Sequence, residues 1–254
     1  MQKSPFSLAG TVALVTGGAK GVGAGIASAM AEAGALVVVA DINADGARAK
    51  ADDLAAQGLA SDWLKMDVSH EQSVIDASAE LVRRHGAPWA VVNNAGIQNR
   101  QYISDESAEA WDRMQAVNAR GPFLLTRELG KAMVAGGQGG RIINIASGVL
   151  AGMLVKGAAA YVASKGALAG FTSVAALEFA QHGITVNAIL PGAIPTPGTL
   201  GAKGPPTEGP GMRPAVFGFS APEDIGLAAV YLASPAARMT TNQMLSVDGG
   251  FSLS

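Results

Sequence analysis

The chain has 254 residues, of which 49% are hydrophobic and 15% are charged, and its mean hydropathy is +0.27. This composition excludes a disordered protein and provides apolar material for one large core. The formal net charge of −2 argues against a nucleic-acid partner or an anionic membrane partner, because both require a basic patch. Cysteine is absent and the three histidines show no metal-ligand spacing, so we expect neither disulfides nor a metal site.

The sequence shows no targeting segment, membrane-spanning segment, repeat or interdomain linker. The first ten residues lack the apolar region of a signal peptide, and no stretch approaches 18 uninterrupted apolar residues. We therefore expect a soluble, cytoplasmic protein without a membrane partner. Neither an internal repeat nor an interdomain linker is visible, so we expect a single domain over 1–254.

Short apolar runs alternate with longer, alanine-rich segments of helical period. Five apolar runs lack the alternation of apolar and polar residues, as is typical of strands buried on both faces: 12–16, 35–40, 89–93, 141–146 and 184–190. Two further runs, at 62–66 and 243–247, would complete the sheet. Helical segments lie near 22–33, 43–57, 70–85, 106–135 and 158–181. This alternation predicts an α/β fold with a doubly wound parallel sheet of about seven strands and helices on both faces.

The first predicted strand runs into the glycine-rich segment TGGAKGVG at 16–23, and a helix follows. Glycines at 17, 21 and 23 let the backbone approach a ligand, and the helix N-terminus behind them offers free N–H groups to a pyrophosphate. Asp41 ends the second strand, where a carboxylate can accept hydrogen bonds from an adenosine ribose. The alternative is that Asp41 caps the helix that starts near Asn43.

Tyr161 and Lys165 lie four positions apart in the helical segment AYVASKGA at 160–167. Residues at i and i+4 share one helix face, so the phenol and the ammonium can reach a common point. Taken alone, the pair also fits a surface lysine that passes an aromatic ring. The one long irregular segment is 193–219, where twelve of 27 residues are Gly or Pro, and we predict a lid there.

Seven motifs extend over nearly the whole chain: T-G-x-x-x-G-x-G at 16–23, DV at 67–68, NNAG at 93–96, Asn118 in VNARG, Ser147 in INIAS, Y-x-x-x-K at 161–165 and PGAIPT at 191–196. In order and spacing the chain resembles the short-chain dehydrogenase/reductase family. The resemblance implies a Rossmann-like sheet, a nicotinamide cofactor and a catalytic tetrad of Asn118, Ser147, Tyr161 and Lys165. One departure is Asn242, where similar proteins often have Gly.

The resemblance also implies which residues bind the cofactor. They come from the glycine loop, the acid after it, the later strand ends and the tetrad: Gly17, Lys20, Gly21, Val22, Gly23, Asp41, Ile42, Asp67, Val68, Asn94, Ala95, Gly96, Tyr161, Lys165, Pro191, Gly192, Ile194 and Thr196. Simpler interpretations stay open for four motifs: a helix-capping Ser147, an ordinary polar Asn118, a tight turn at NNAG and a turn threonine at Thr196.

Oxidation of a secondary alcohol needs a base for the hydroxyl proton, and a tyrosine with a pKa of about 10 is too weak at neutral pH. A cation about 4 Å away, at an effective dielectric of about 20, supplies roughly the 4 kcal/mol that lowers this pKa to about 7. We therefore expect Lys165 to lower the pKa of Tyr161, and Ser147 to orient the substrate oxygen. By family resemblance, Lys165 also bonds the nicotinamide ribose and Asn118 holds a water for proton relay.

These residues predict an oxidoreductase that transfers a hydride between NAD(H) and a secondary alcohol or its ketone, with Tyr161 as general acid/base. Asp41 would repel the 2′-phosphate of NADP and Ile42 supplies no arginine, whereas Lys20 favours NADP or is a solvated loop lysine. An NADPH-dependent 3-oxoacyl-carrier-protein reductase shares every motif and stays open. A catalytically silent cofactor-binding scaffold is the alternative from another class, and the intact tetrad argues against it.

Apolar side chains of the lid and of the segment after Ser147 predict an apolar, uncharged ketone or secondary alcohol as the small-molecule partner: Met153, Leu154, Ile194, Leu200, Met212, Val216, Phe217 and Phe219. Gln98, Asn99 and Arg100 would favour a polar substrate unless they form a solvated rim. The family resemblance and the apolar helices near 106–135 and 158–181 predict a homotetramer.

Overall fold

The structure is a computed structural model that describes residues 4–253. Within this range, seven parallel strands form one sheet in the order β3-β2-β1-β4-β5-β6-β7. The strands are β1 (Val12–Thr16), β2 (Leu36–Asp41), β3 (Ser61–Lys65), β4 (Ala90–Asn93), β5 (Gly140–Ile145), β6 (Ile184–Pro191) and β7 (Met244–Val247). The predicted fold class is confirmed. The strand order reverses between β1 and β4, where open α/β sheets bind ligands.

Eight α-helices connect the strands: α1 (Gly21–Glu32), α2 (Ala44–Ala56), α3 (Glu71–His85), α4 (Ala108–Gln115), α5 (Gly121–Gly136), α6 (Ala159–Phe179), α7 (Pro197–Leu200) and α8 (Pro222–Ala233), counted over residues 4–253. The sequence prediction missed α8, although the chain carries signals for its start. Pro222 stands at the first helical position, and the Asp224 carboxylate accepts a hydrogen bond from the Ala221 N–H at 2.8 Å.

The prediction of one helix over 106–135 is wrong, because a π-helical turn at Ala116–Arg120 separates α4 from α5. Such turns change the direction of side chains and are frequent at functional sites. Asn118 lies in this turn with no exposed side-chain surface. A hydrophobicity pattern cannot distinguish the π-turn from an ordinary helical turn, since both continue the apolar face.

The core consists of two layers, one on each face of the sheet. Side chains of α1, α2 and α8 cover one face, and side chains of α3, α5 and α6 cover the other. Neighbouring strand residues belong to different layers, for example Leu14 and Val15. This explains why the strand sequences are continuously apolar. No helix between residues 4 and 253 is both long and apolar enough to cross a membrane.

Candidate active site

A cavity of about 600 Å³ runs along the carboxyl edge of the sheet, from Asp41 beside β2 to Ser147 and Tyr161 beyond β5. Every predicted cofactor-binding residue lines this cavity, and so does Ser147. Asn118 is the one predicted site residue that lies behind its wall. The cavity wall also includes residues that the sequence prediction did not assign, such as His70, Arg113 and Thr199. No local motif marks these three residues, because only the fold brings them to this edge.

The glycine loop gives the cavity an anion-binding end. Gly17 and Gly21 have positive φ angles of 62° and 58°, which L side chains rarely adopt. A Cβ at Gly23 would overlap the carbonyl oxygen of Gly17, so the loop cannot close with a larger residue. The first turn of α1 contains no acidic residue, and the Lys20 side chain does not cap it. The N-terminal N–H groups of α1 are therefore suited to a pyrophosphate.

Asp41 lies at the end of β2, and its carboxylate accepts hydrogen bonds from two backbone N–H groups. Its Oδ2 accepts from the Ala19 N–H at 3.2 Å, and its Oδ1 accepts from the Asn43 N–H at 3.0 Å. The alternative that Asp41 caps α2 is wrong, because Asn43 is the cap and accepts from the Gly46 N–H at 3.2 Å. The carboxylate lines the cavity beside Ile42, which is 59% exposed. This position suits a ribose diol.

The NNAG segment is tied to the glycine loop. The Asn94 side-chain amide donates to the carbonyl oxygens of Thr16 and Gly17 at 2.9 and 3.2 Å. The Thr16 hydroxyl accepts from the N–H groups of Asn94 and Ala95 at 3.1 and 3.2 Å. These bonds fix the width of the cavity between β1 and β4.

Asp67 and Val68 form the wall on the side of β3. Asp67 Oδ1 accepts from the N–H and the hydroxyl of Ser69, at 2.9 and 2.7 Å. Burial raises the pKa of Asp67, but these bonds and the charges of His70 and Arg113 lower it below its usual range. The carboxylate therefore stays ionised and holds the turn before α3.

Ser147 and Tyr161 meet on the far side of the cavity. The Ser147 hydroxyl accepts from the Val149 N–H at 3.3 Å. It also lies close enough to the Tyr161 phenol for hydrogen bonding to lower the pKa of the phenol. The capping interpretation and the substrate-orienting interpretation of Ser147 are thus compatible. Burial raises the pKa of Tyr161, and the bond to Ser147 offsets part of this rise.

Lys165 is 4% exposed and lies beneath the tyrosine. Its ammonium donates to the Ile145 carbonyl oxygen at 2.8 Å and lies 5.7 Å from the centroid of the Tyr161 ring. Burial lowers the pKa of Lys165 to about 8. The expectation that Lys165 brings the pKa of Tyr161 below its ordinary value is wrong for this structure. The ammonium is directed to Ile145, and burial dominates at the phenol.

Asn118 joins the π-turn to two neighbouring segments. Its Oδ1 accepts from the Ile97 N–H at 2.9 Å, and its Nδ2 donates to the Ile97 carbonyl oxygen at 2.9 Å and to the Ser164 hydroxyl at 3.0 Å. The Ser164 hydroxyl in turn donates to the Tyr161 carbonyl oxygen at 2.7 Å. The side chain of Asn118 therefore holds the loop after β4 against α6. The water relay stays a prediction, and Ser164 is a contributor that the sequence did not reveal.

The segment 193–219 contacts the cavity through its first part. Thr196 caps α7, since its hydroxyl accepts from the Thr199 N–H at 3.2 Å while its own N–H donates to Thr199 Oγ1 at 2.8 Å. Gly192, the residue before this segment, must be glycine, because a Cβ there would lie 2.6 Å from the Cα of Asp248. Thr196 therefore has the structural role of its simpler interpretation as well as a place in the cavity wall.

The prediction of which apolar residues line the substrate site is wrong. Among the eight apolar side chains proposed for it, only Ile194 lines the cavity. Phe217 and Phe219 are 84% and 76% exposed. The Phe217 N–H donates to the Gly249 carbonyl oxygen at 2.7 Å, which holds this part of the segment against the C-terminal turn and away from Tyr161.

Comparisons with known proteins agree with this architecture. A family model described as Enoyl-(Acyl carrier protein) reductase matches residues 17–252. The chain is 37% identical over 254 residues to 3beta-hydroxysteroid dehydrogenase 2 of Eggerthella lenta, with 96% of each chain covered. It is 38% identical over 251 residues to D-threitol dehydrogenase of Mycolicibacterium smegmatis, with 98% of this chain and 95% of the relative covered.

Solved structures superpose closely. A gluconate 5-dehydrogenase from Burkholderia cenocepacia J2315 in complex with NADP and tartrate has a TM-score of 0.86 and 31% identity, covering 98% of each chain. A 3-ketoacyl-(acyl-carrier-protein) reductase from Brucella melitensis complexed with NADH has a TM-score of 0.88 and 35% identity, covering 97% and 100%. The chain belongs to the short-chain dehydrogenase/reductase family and is an oxidoreductase that acts on CH–OH groups of small molecules.

Proposed function

We propose that this protein oxidises a secondary alcohol, or reduces the corresponding ketone, with NAD(H). The observation that supports this proposal is the convergence of Ser147, Tyr161 and Lys165 in one cavity whose other end is formed by the glycine loop and Asp41. We also propose that the chain is a single domain in which 193–219 forms the lid of this cavity.

The residues present fit a nicotinamide dinucleotide. The N-terminus of α1 would hold the pyrophosphate, Asp41 the adenosine ribose, and Lys165 the nicotinamide ribose. When bound, the cofactor supplies the acceptor or the donor of the hydride. Lys20 is the basic residue of the glycine loop, and its positive charge, taken alone, would favour NADP over NAD.

The chain itself supplies the proton. The raised pKa keeps the Tyr161 phenol protonated at neutral pH, so the phenol can donate to a ketone oxygen as a general acid. The Ser147 hydroxyl, which lines the same cavity close to that phenol, would orient the same oxygen. In the oxidation direction the phenol must first lose its proton, and the ammonium of Lys165, 5.7 Å from the ring centroid, would offset only part of the burial penalty of the phenolate.

The preference for NAD(H) depends on Asp41, because its carboxylate would repel a 2′-phosphate. A comparison of kcat/KM for NAD and NADP tests this, and replacement of Asp41 by Ser should move the preference toward NADP. A wild-type preference for NADP would show that Lys20 outweighs Asp41.

Two substrate classes are candidates for this site. The similarity to a 3beta-hydroxysteroid dehydrogenase favours the apolar ketone that the sequence predicted. The similarity to a 3-ketoacyl-(acyl-carrier-protein) reductase favours a carrier-linked 3-oxoacyl substrate. A panel of ketones and secondary alcohols, followed by nicotinamide absorbance with each cofactor, separates these activities.

The central experiment replaces Tyr161 by Phe. We expect turnover to vanish while NADH binding, followed by fluorescence titration, stays nearly unchanged. Tyr231→Phe is the matched control, since this hydroxyl bonds Thr240 at 3.1 Å, away from the cavity. Retention of more than about a tenth of the activity by Tyr161→Phe would refute the acid/base role.

We further propose a homotetramer. Large apolar side chains remain exposed on α5 and α6, among them Phe123 at 44%, Val174 at 55% and Leu177 at 78%. Contiguous apolar faces of this kind usually bind another subunit. Light scattering should give about four times the chain mass of 25.5 kDa, and one chain mass would refute the assembly.

A further inference from the structure

A second cavity, of about 460 Å³, adjoins the first. It lies between the loop after β4, one face of α4 and the segment 203–205. Ile97, Asn99 and Arg113 line both cavities. A ligand in the second cavity therefore contacts residues that also line the first.

The walls of this second cavity are fixed by hydrogen bonds between distant parts of the chain. The Arg100 N–H donates to the Lys203 carbonyl oxygen at 2.8 Å, and the Lys203 N–H donates to Asn99 Oδ1 at 3.2 Å. The Arg100 guanidinium donates through Nη2 to the Pro205 carbonyl oxygen at 3.1 Å. The guanidinium is thus held in one orientation beside the cavity.

This orientation leaves a donor without an acceptor. Arg100 Nε is buried and has no hydrogen-bond partner in the part of the chain that the structure describes. A buried, unpaired donor of a charged group destabilises the folded state. The Arg100 side chain also lines the cavity, so other atoms of the guanidinium are within reach of a ligand there.

The charges around the cavity favour an anion. Arg100, Arg113 and Lys203 line it, and none has a carboxylate within 4.0 Å among residues 4–253. Asp105 and Glu106 also line it, and the Asp105 carboxylate accepts from the Ser104 hydroxyl at 3.0 Å. Three cations therefore face two anions, and the excess is positive.

We propose that the second cavity binds the carboxylate of the substrate, so that the enzyme acts on a hydroxy acid or its oxo acid. Arg100 is the principal contact, because its planar guanidinium lines the cavity, is held in place by Pro205 and matches the geometry of a carboxylate. The reacting carbon then lies in the first cavity, in front of Tyr161. This inference rests on the proposed function and replaces the apolar substrate.

The test compares acids with alcohols that differ only in the end group: D-gluconate with D-glucitol, D-threonate with D-threitol, and glycerate with glycerol. For at least one pair, wild-type kcat/KM should favour the acid by about tenfold or more. Arg100→Gln should lower kcat/KM for that acid by about thirtyfold, and for its alcohol by less than about threefold. Arg238→Gln, an exposed arginine away from both cavities, should change neither.

Two results would overturn the inference: a preference for the alcohol in all pairs, or an equal loss on acid and alcohol in Arg100→Gln. The second result would mean that Arg100 only holds Pro205, and a fall in Tm of that variant would accompany it. If other secondary alcohols are oxidised but none of these acids, the inference fails and the proposed function stands. If no alcohol reacts with either cofactor, the proposed function fails, and calorimetric binding of D-gluconate against D-glucitol by the NADH complex then decides the inference separately.

Discussion

Replacement of Lys165 by Met should make the protein more stable at neutral pH while abolishing its activity. Lys165 is a buried cation with a single hydrogen bond, to the Ile145 carbonyl oxygen, and no described carboxylate lies within salt-bridge distance. Burial of a charge without a counter-charge destabilises the folded state. Methionine has a similar length and carries no charge.

The magnitude follows from the pKa. Burial lowers the pKa of Lys165 from 10.5 to about 8. At about 1.36 kcal/mol per pKa unit, the charged form costs the folded state roughly 3 kcal/mol. Loss of the bond to Ile145 removes about 1 kcal/mol, so we expect a net gain of about 2 kcal/mol in the free energy of unfolding. For a domain of this size that corresponds to a rise in Tm of roughly 4–8 °C.

The gain should depend on pH with a definite sign. Below about pH 8, Lys165 is protonated in both states, and the wild type carries the whole penalty. Between about pH 8 and 10.5 the folded protein releases this proton while the unfolded chain retains it, so wild-type stability rises with pH. The advantage of Lys165→Met should therefore shrink over this interval, because methionine does not titrate.

Denaturant unfolding of both proteins between about pH 7 and 10.5 measures this difference, in which the titration of all other groups cancels. Lys131→Met is the control, since this lysine is 67% exposed and its replacement should change stability little at any pH. A Lys165→Met protein that is less stable than the wild type at pH 7, or a difference that does not vary with pH, would refute the reasoning.

Three further changes test local features. Asn242 has a φ of 57°, so Asn242→Ala should lower the free energy of unfolding by about 1 kcal/mol and Asn242→Gly should not, as thermal unfolding would show. Ser164→Ala should lower both that free energy, by about 1–3 kcal/mol, and kcat, because Asn118 loses a partner; unchanged kinetics would contradict its positioning role. Gly23→Ala should weaken NADH binding at least about tenfold in fluorescence titrations, whereas Gly166→Ala, with open space at its Cβ, should not.

The departure at Asn242 has a simple structural account. This position is the one departure from the motifs of the family, in which Gly is frequent. The backbone there is left-handed, and Asn is the residue that tolerates this conformation best after Gly. The Asn242 N–H donates to the Val186 carbonyl oxygen at 2.8 Å, so β7 still pairs with β6.

The sequence by itself determined the seven strands, most of the helices and the edge of the sheet at which the site lies. The strand bounds were predicted within one residue, because a strand buried on both faces must be continuously apolar. The glycine loop and the pair Tyr161 and Lys165 could be recognised because each is a local pattern within one turn or one loop. In a parallel sheet the carboxyl ends of the strands lie at one edge, so the loop after β1 and the helix after β5 meet there.

Only the tertiary structure decided how these groups are paired and charged. Lys165 bonds a carbonyl 20 residues away, Asn118 bonds the backbone 21 residues away, and Arg100 bonds Pro205 across 105 residues. The pKa of Tyr161 rises because of burial, which is a property of the packed surroundings and not of the tyrosine's neighbours in sequence. The hydrophobicity pattern of the sequence indicates which residues are buried. Hydrogen bonds between residues so far apart in sequence depend instead on where the packed helices and strands place each donor and acceptor.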